Sequence, residues 1–151
     1  MKLIYENKKE KGNMLYQIYV DVEQEYFYIK AGGDIDQDFH TITNLMLLEE
    51  VEKYKYSRFI FDLSKQQSTT AQSRIWFVSY VVPKGYAILK NKDIYAAAIS
   101  SFNPIETAFT HIIMRSINSF NSQINIRLFD LDSVQTAKKW ILQGKEKLVI
   151  K

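Results

Sequence analysis

The amino-acid sequence predicts an α/β fold in which a single mixed sheet of five strands follows the order β-β-α-β-α-β-α-β-α. Three observations support this prediction: two alternating segments near the N-terminus, uninterrupted apolar runs of strand length further on, and amphipathic segments between those runs. Successive strand–helix–strand units need crossover connections, so the third to fifth strands should be parallel. The first two strands should form an antiparallel hairpin.

The hairpin is predicted from two segments that follow the charged first residues of the chain. Residues 15–22 alternate between an apolar face, which includes Tyr16, and a polar face, as is typical of a strand with one buried side. After a polar link at residues 23–25, residues 26–31 provide the second strand. The Gly32-Gly33 pair should end that strand.

The first helix and the third strand come next. The helix should begin at Asp36 or Asp38 and run to about Tyr54, because an acidic first turn complements the helix dipole. Residues 58–63 form a continuous apolar run, which predicts a central strand covered on both faces. The polar residues that follow, 64–70, should form a loop.

The second half of the chain continues the alternation of helices and strands. Residues 75–82 fit a strand by composition, but their position between two predicted strands favours a helix that kinks or ends near Pro83. Residues 94–100 and 124–129 are predicted strands, and a last helix should start just after Asp132.

The helix between those two strands has the clearest start signal. Asn103 is a typical N-cap, Pro104 suits the first helical position, and Glu106 completes a pattern that resembles a capping box. Residues at helical spacing predict one buried face, formed by Ile105, Ala108, Phe109, Ile112, Ser116, Ile117 and Phe120.

Composition excludes several kinds of chemistry. The chain has no cysteine, which excludes disulfides, thiolate zinc sites, iron–sulfur clusters and a cysteine nucleophile. It has two histidines, and we expect His40 in the first turn of its helix and His111 on a polar helix face to be solvated. No complete glycine-rich phosphate loop is present. The sequence therefore predicts neither a cofactor nor a metal ion.

Charge is concentrated at the two ends of the chain. Residues 1–13 and residues 144–151 each carry a net charge of +2, which leaves −1 of the total +3 for residues 14–143. We therefore predict a charged leader, one α/β domain and a basic tail with these bounds. The domain has no cationic stripe for nucleic acid and no apolar stretch for stable membrane insertion, so we expect a cytoplasmic bacterial protein.

Candidate site residues follow from the expected topology, because ligands of open α/β sheets meet the loops beyond the carboxyl ends of the strands. Hydroxyl, amide and carboxylate side chains are frequent there, but no spacing supplies a base for a serine nucleophile. Thr70 and Asn103 also fit the role of helix caps. A hydrolase that uses Ser64 or Ser68 is the weaker alternative to a non-enzymatic site. The candidates are Asp62, Ser64, Ser68, Thr69, Thr70, Ser100, Ser101 and Asn103.

Several patterns over residues 14–142 resemble the SpoIIAA-like STAS family, in its uncharacterised bacterial branch. One is a strand that ends in Asp-Leu, here RFIFDLS with Asp62. Another is Trp76 followed by Val82-Pro83-Lys84 and then the strand IYAAAI. The ending, RLFDLDSVQTAKKWIL, resembles the closing signature of the family, with Phe129, Asp130, Ala137 and Trp140 in register.

The resemblance implies a mixed sheet with helices mainly on one face, similar to the CRAL-TRIO lipid-transfer domains. In anti-sigma-factor antagonists of this family, a serine in an Asp-Ser pair opens the helix after the third strand, and its phosphorylation switches partner binding. Thr70-Ala71 stands at that position here, so the usual acceptor is missing. Ser68, Thr69 or Ser73 could take its place.

The functional expectation is a non-enzymatic regulatory or scaffold module that acts by protein–protein association, including association with a second copy. The apolar circumference of the helix at residues 45–48 and the aromatic-rich sheet motivate it. The alternative is a binder of a lipid or another apolar small molecule, which the CRAL-TRIO similarity implies.

Overall fold

The computed structural model describes residues 1–90 and 92–150, with side chains up to residue 143. In this part of the chain, six strands form one sheet whose spatial order is the chain order. The first three strands pair antiparallel, and every later pairing is parallel. The strands are β1 (Lys2–Lys9), β2 (Met14–Asp21), β3 (Tyr26–Asp34), β4 (Arg58–Ser68), β5 (Ile94–Ile99) and β6 (Ile124–Phe129). The predicted mixed α/β sheet with an antiparallel hairpin is confirmed.

The expected count of five strands is wrong, because the charged leader contains a sixth. β1 pairs antiparallel with β2, from Lys2 opposite Val20 to Lys9 opposite Met14. Its lysines are consistent with its place at the edge of the sheet, since charged side chains on an edge strand discourage pairing with other chains. The predicted basic tail, residues 144–151, lies outside the residues whose side chains the structure describes.

The helices pack on both faces of the sheet, but mainly on one. They are α1 (Gln37–Tyr54), α2 (Ala71–Trp76), α3 (Val82–Ile88), α4 (Pro104–Phe120) and α5 (Val134–Ile150), with a π-helical turn at Phe77–Val81. Helices α1, α3 and α4 and the π turn pack on Phe27, Ile29 and Phe59, and α2 leads into that turn on the same side. Helix α5 packs on Ile60 and Ala97, on the opposite face. The arrangement implied by the resemblance is therefore confirmed. Within the described residues, no helix combines the length and the apolar character needed to cross a bilayer.

The start and end of α1 follow the sequence signals closely. The helix runs from Gln37 to Tyr54, and its N-cap Asp36 accepts a hydrogen bond from the Phe39 N–H at 2.8 Å. The region around Pro83 is helical, as predicted, and the expected irregularity is the π turn that precedes α3. Such turns are rare in helices and are frequent at functional sites.

Two strands extend further than their composition indicates. Residues 64–68 belong to β4, so the prediction of a loop over these residues is wrong. Gln66 of β4 pairs with Gly33 of β3. Gly33 does not end its strand. It has a φ of 85°, and a Cβ at this position would lie 2.2 Å from the carbonyl oxygen of Asn13. Glycine is therefore needed here for the close approach of the turn between β1 and β2.

The buried face of α4 differs from the prediction. Ile105, Ile112 and Phe120 are 65%, 59% and 54% exposed, whereas Glu106 and Thr110 are buried. Periodicity identifies an amphipathic helix correctly, but the helix turns a partly polar face toward the sheet. The reason is a hydrogen-bonding role of Glu106, which is described below.

Candidate functional site

A cavity of about 200 Å³ lies between the sheet and helices α1 to α4. Its sheet wall comes from alternate residues of β3, β4 and β5, among them Ile29, Phe61 and Ala96, because alternate side chains of a strand point to the same face. Its helical wall includes Leu47 of α1 and Phe77 of the π turn. Most of the lining is apolar, and two groups of polar lining residues lie near the carboxyl ends of the parallel strands.

We call the first group the Tyr16–His40 cluster, which consists of Tyr16, His40 and Asn44. Tyr16 is 5% exposed, and its hydroxyl has no hydrogen-bond partner among the described residues. Burial raises the pKa of this phenol well above its usual value, with a smaller contribution from Tyr5. The Nδ1 atom of His40 also lacks a partner there, while Asn44 Nδ2 donates to the His40 carbonyl oxygen at 2.9 Å.

His40 is mostly buried, so the expectation of a solvated first-turn histidine is wrong. Its ring centroid lies 5.9 Å from that of Trp76 and 6.2 Å from that of Phe77, both in edge-on contact. Burial lowers the pKa of the imidazole to about 4, so the ring is neutral near pH 7. These partners are more than thirty residues away along the chain, and no local pattern indicates them. His111 is exposed, as predicted.

We call the second group the Glu106 cluster, which consists of Glu106, Gln66, Thr69 and Arg74. The buried Glu106 carboxylate accepts hydrogen bonds from the Thr69 N–H at 3.0 Å and from Gln66 Nε2 at 2.9 Å. Arg74 donates to the Thr69 carbonyl oxygen at 2.8 Å and lies 3.8 Å above the ring of Phe109. The polar groups of this cluster thus satisfy one another.

The Glu106 cluster replaces the capping box that the sequence predicts for α4. The Asn103 N–H donates to Ser101 Oγ at 3.0 Å instead of to Glu106. Asn103 still caps the helix, since its Oδ1 accepts from the Ile105 N–H at 3.0 Å. The glutamate is therefore free to reach Thr69, a contact between residues 37 positions apart. The spacing that signals a capping box is present, but a tertiary contact takes the carboxylate.

Asp62 and Ser64 lie on the face of the sheet that α5 covers. Asp62 is buried and accepts from Ser64 Oγ at 2.6 Å, from the Ser64 N–H at 3.1 Å and from the Tyr28 hydroxyl. Burial and the hydrogen bond to Asp62 raise the pKa of Tyr28. These two candidate residues are thus separated from the cavity by the sheet.

Most other predicted hydroxyls hold neighbouring segments together. Ser68 Oγ donates to Asp34 Oδ1 at 2.7 Å, and Ser100 Oγ donates to the Phe129 carbonyl oxygen at 2.9 Å. Ser101 is buried and donates to the Gln66 carbonyl oxygen.

Thr70 and Ser73 belong to the start of α2. Thr70 Oγ1 accepts from the Ser73 N–H at 3.1 Å, which confirms the cap, and Ser73 is 1% exposed. Of the eight candidate site residues and Ser73, which the family resemblance adds, Thr69 lines the cavity and the others lie outside its wall. A role of these residues in partner binding stays a prediction.

Comparison with known proteins gives a match at the level of the fold. No family model and no curated protein matches the chain. Among solved structures, it is similar to an uncharacterised protein of the DUF3478 family with a SpoIIAA-like fold from Shewanella loihica PV-4. The identity is 14%, the match covers 93% of this chain and 98% of that one, and the TM-score is 0.57. The chain therefore has the SpoIIAA-like fold that its sequence patterns resemble.

Proposed function

We propose that the chain binds a small apolar molecule in the cavity between the sheet and helices α1 to α4. The cavity itself is the observation that supports the proposal, because it has a volume of about 200 Å³ and is lined mostly by apolar side chains, with a few polar groups among them. That combination is typical of sites for small organic ligands, in which polar groups set the orientation and apolar walls supply affinity. The proposal is for binding and not for catalysis.

The size of the cavity limits the ligand. An engineered cavity of about 150 Å³ with apolar walls binds benzene, whereas drug-sized ligands occupy roughly 300 Å³ or more. A cavity of about 200 Å³ thus fits a molecule with one or two small rings or a short branched chain. We therefore place the ligand well below the size of a membrane lipid.

The first test uses toluene as the probe and a variant that fills the cavity. Toluene at ten times its dissociation constant should raise the melting temperature by about 3–5 °C, because only the folded state binds it. Ala96→Leu should weaken binding at least tenfold, because Ala96 lines the cavity and the larger side chain occupies ligand space. Isothermal titration calorimetry and differential scanning calorimetry measure the two effects.

Ala108→Leu is the matched control for this test, since Ala108 is exposed on α4. It should bind toluene as the wild type does. If saturating toluene leaves both the melting temperature and the calorimetric heats of the wild type unchanged, the proposed function is wrong.

Association with a second copy of the chain is a second candidate function, and a separate observation favours it. Ile105, Ile112 and Phe120 are 54–65% exposed and recur along α4, and Phe102, just before the helix, is 52% exposed, so the four form an apolar surface along α4 and the turn that precedes it. We name these four residues the α4 stripe. A stripe of this kind can pair with itself across a twofold axis, as homodimer interfaces do.

The second candidate is tested by sedimentation velocity at micromolar concentration. The wild type should sediment as a dimer, and Ile112→Glu should sediment as a monomer because a carboxylate would be buried in the interface. Asn118→Glu, an exposed position outside the α4 stripe, is the control and should remain dimeric. A monomeric wild type would remove this candidate and leave the cavity proposal untouched.

Regulation by phosphorylation stays a prediction from the family resemblance. Ser73 is buried, and Thr69 Oγ1 lies 3.2 Å from the Glu106 carboxylate. Ser68 donates to Asp34, so a phosphate on it would stand beside a carboxylate and repel it. Burial of Ser73 and the Asp34 carboxylate beside Ser68 thus oppose a phosphate in this conformation, whereas Thr69 Oγ1 has both the Glu106 carboxylate and an N–H of Arg74, at 3.0 Å, as neighbours.

A further inference from the structure

We propose that the ligand carries one uncharged hydrogen-bonding group and that the Tyr16–His40 cluster receives it. This inference rests on the proposed function, because it names the chemistry of a molecule bound in the same cavity. We therefore expect the cavity to prefer a phenol, an alcohol or a ketone with one or two small rings over a plain hydrocarbon or a carboxylate.

Two unpartnered polar atoms carry the inference. Roughly nine in ten buried polar groups in proteins have a hydrogen-bond partner, so each exception needs an explanation. The hydroxyl of Tyr16 and Nδ1 of His40 are buried without a partner among the described residues, and both side chains line the cavity. A ligand with a polar group at this end of the cavity would satisfy an otherwise unpaired site.

The topology brings these two side chains to the same end of the sheet. Tyr16 in β2 pairs with Ala31 near the end of β3, and His40 lies in the first turn of α1, the helix that follows β3. Ala31, the pairing partner of Tyr16, and Ile35, which precedes α1, also line the cavity. The two unpartnered groups therefore belong to one region of the wall and not to opposite ends of it.

The Glu106 cluster is a poorer receptor for the polar group of a ligand. Its carboxylate already accepts from Thr69 and Gln66, and the Arg74 guanidinium is held by the Thr69 carbonyl oxygen and by the ring of Phe109. The polar side chains of the Glu106 cluster therefore already have partners within the chain, whereas the Tyr16 hydroxyl and His40 Nδ1 have none among the described residues. At the Tyr16–His40 cluster a ligand would only add hydrogen bonds.

The charge of the cluster selects a neutral ligand. His40 is uncharged near pH 7, and Tyr16 and Asn44 carry no charge, so the cluster offers no cation to a carboxylate or phosphate. An anion whose charged group lay at this cluster would be buried without a cation, which is strongly unfavourable. A neutral imidazole and a phenol can each donate or accept, so they suit a hydroxyl or a carbonyl group.

Phenol and toluene test this inference because they have the same number of heavy atoms and differ by a hydroxyl against a methyl group. Isothermal titration calorimetry at pH 7 should show that Tyr16→Phe weakens phenol binding about tenfold, the effect of one lost hydrogen bond to a buried group. Toluene affinity should stay within twofold. Benzoate should bind at least a hundredfold more weakly than phenol.

Tyr86→Phe is the matched control, since Tyr86 also lines the cavity but its hydroxyl already donates to Gln123. It should leave the ratio of phenol to toluene affinity unchanged. The ¹⁵N resonances of His40 give an independent readout, because they should shift with phenol and not with toluene, while those of His111 stay in place.

The outcomes separate the two proposals. If toluene does not bind, the proposed function fails and this inference, which rests on it, fails with it. If toluene binds but Tyr16→Phe leaves phenol affinity unchanged and the His40 resonances do not respond to phenol, only this inference is wrong. Tyr16→Phe should melt no lower than the wild type, because it removes a hydroxyl without a partner.

Discussion

Glu106→Ala should lower the free energy of unfolding by about 3 kcal/mol, although the glutamate lies in a surface helix. Its carboxylate accepts from the Thr69 N–H and from Gln66 Nε2, and it is 3% exposed. Alanine would leave the buried Gln66 amide and the half-buried Thr69 N–H without this acceptor, and each buried unsatisfied group costs about 1–3 kcal/mol. Equilibrium unfolding in urea, followed by circular dichroism, measures the loss.

Two further variants make this expectation specific. Glu106→Gln retains an oxygen acceptor of the same shape, so it should lose only about 1 kcal/mol. Glu49→Ala changes an exposed glutamate of α1 and should stay within about 0.5 kcal/mol of the wild type. A Glu106→Ala variant as stable as Glu49→Ala would show that the carboxylate does not join α4 to the segment after β4.

Stability should fall as the pH is lowered from 7.5 to 5, and His40 should cause about 2 kcal/mol of that fall. The pKa of His40 is about 4 in the folded chain and 6.5 in the unfolded chain. Between these pH values His40 is mostly protonated in the unfolded state and mostly neutral in the folded state. The contribution of His40 to the free energy of unfolding is therefore complete above pH 6.5, decreases as the pH falls and is lost near pH 4. It amounts to about 3 kcal/mol in total.

A comparison of histidine variants isolates this contribution from the titration of carboxylates. His40→Gln, measured in urea at pH 7.5 and pH 5, should have a pH dependence smaller by about 2 kcal/mol than that of the wild type. His111→Gln removes the exposed histidine and should leave the pH dependence unchanged. If the free energy of unfolding changed equally between pH 7.5 and pH 5 for the wild type and His40→Gln, the imidazole would be solvated in the folded protein.

The elements that could be predicted from the sequence are those whose signals are local. The bounds of α1 follow from its Asp36 cap, and Thr70 and Asn103 cap α2 and α4 as expected. The alternation of β2 correctly places Tyr16 on the buried face. These features depend on residues within a few positions of one another, so the chain's own periodicity and capping chemistry are enough to reveal them.

The elements that could not be predicted depend on contacts between distant segments. Residues 2–9 contain too few apolar side chains to indicate a strand, and β2 provides the pairing that makes them one. The polar composition of residues 64–68 predicts a loop, but in the folded chain Gly32 and Gly33 of β3 pair with this segment and make it part of β4. Backbone hydrogen bonds between strands carry no sequence signal of their own, so pairing can override composition.

The sequence by itself determined the order of strands and helices from β2 onward and the caps of α1, α2 and α4, because these arise from short-range preferences of the backbone and side chains. Only the tertiary structure decided which face of α4 is buried, why His40 is neutral and where a cavity remains. Glu106 turns α4 toward Thr69, and Trp76 and Phe77 enclose His40. The physical reason is that burial and hydrogen-bond satisfaction depend on the whole set of neighbours, which residues far apart in the chain supply.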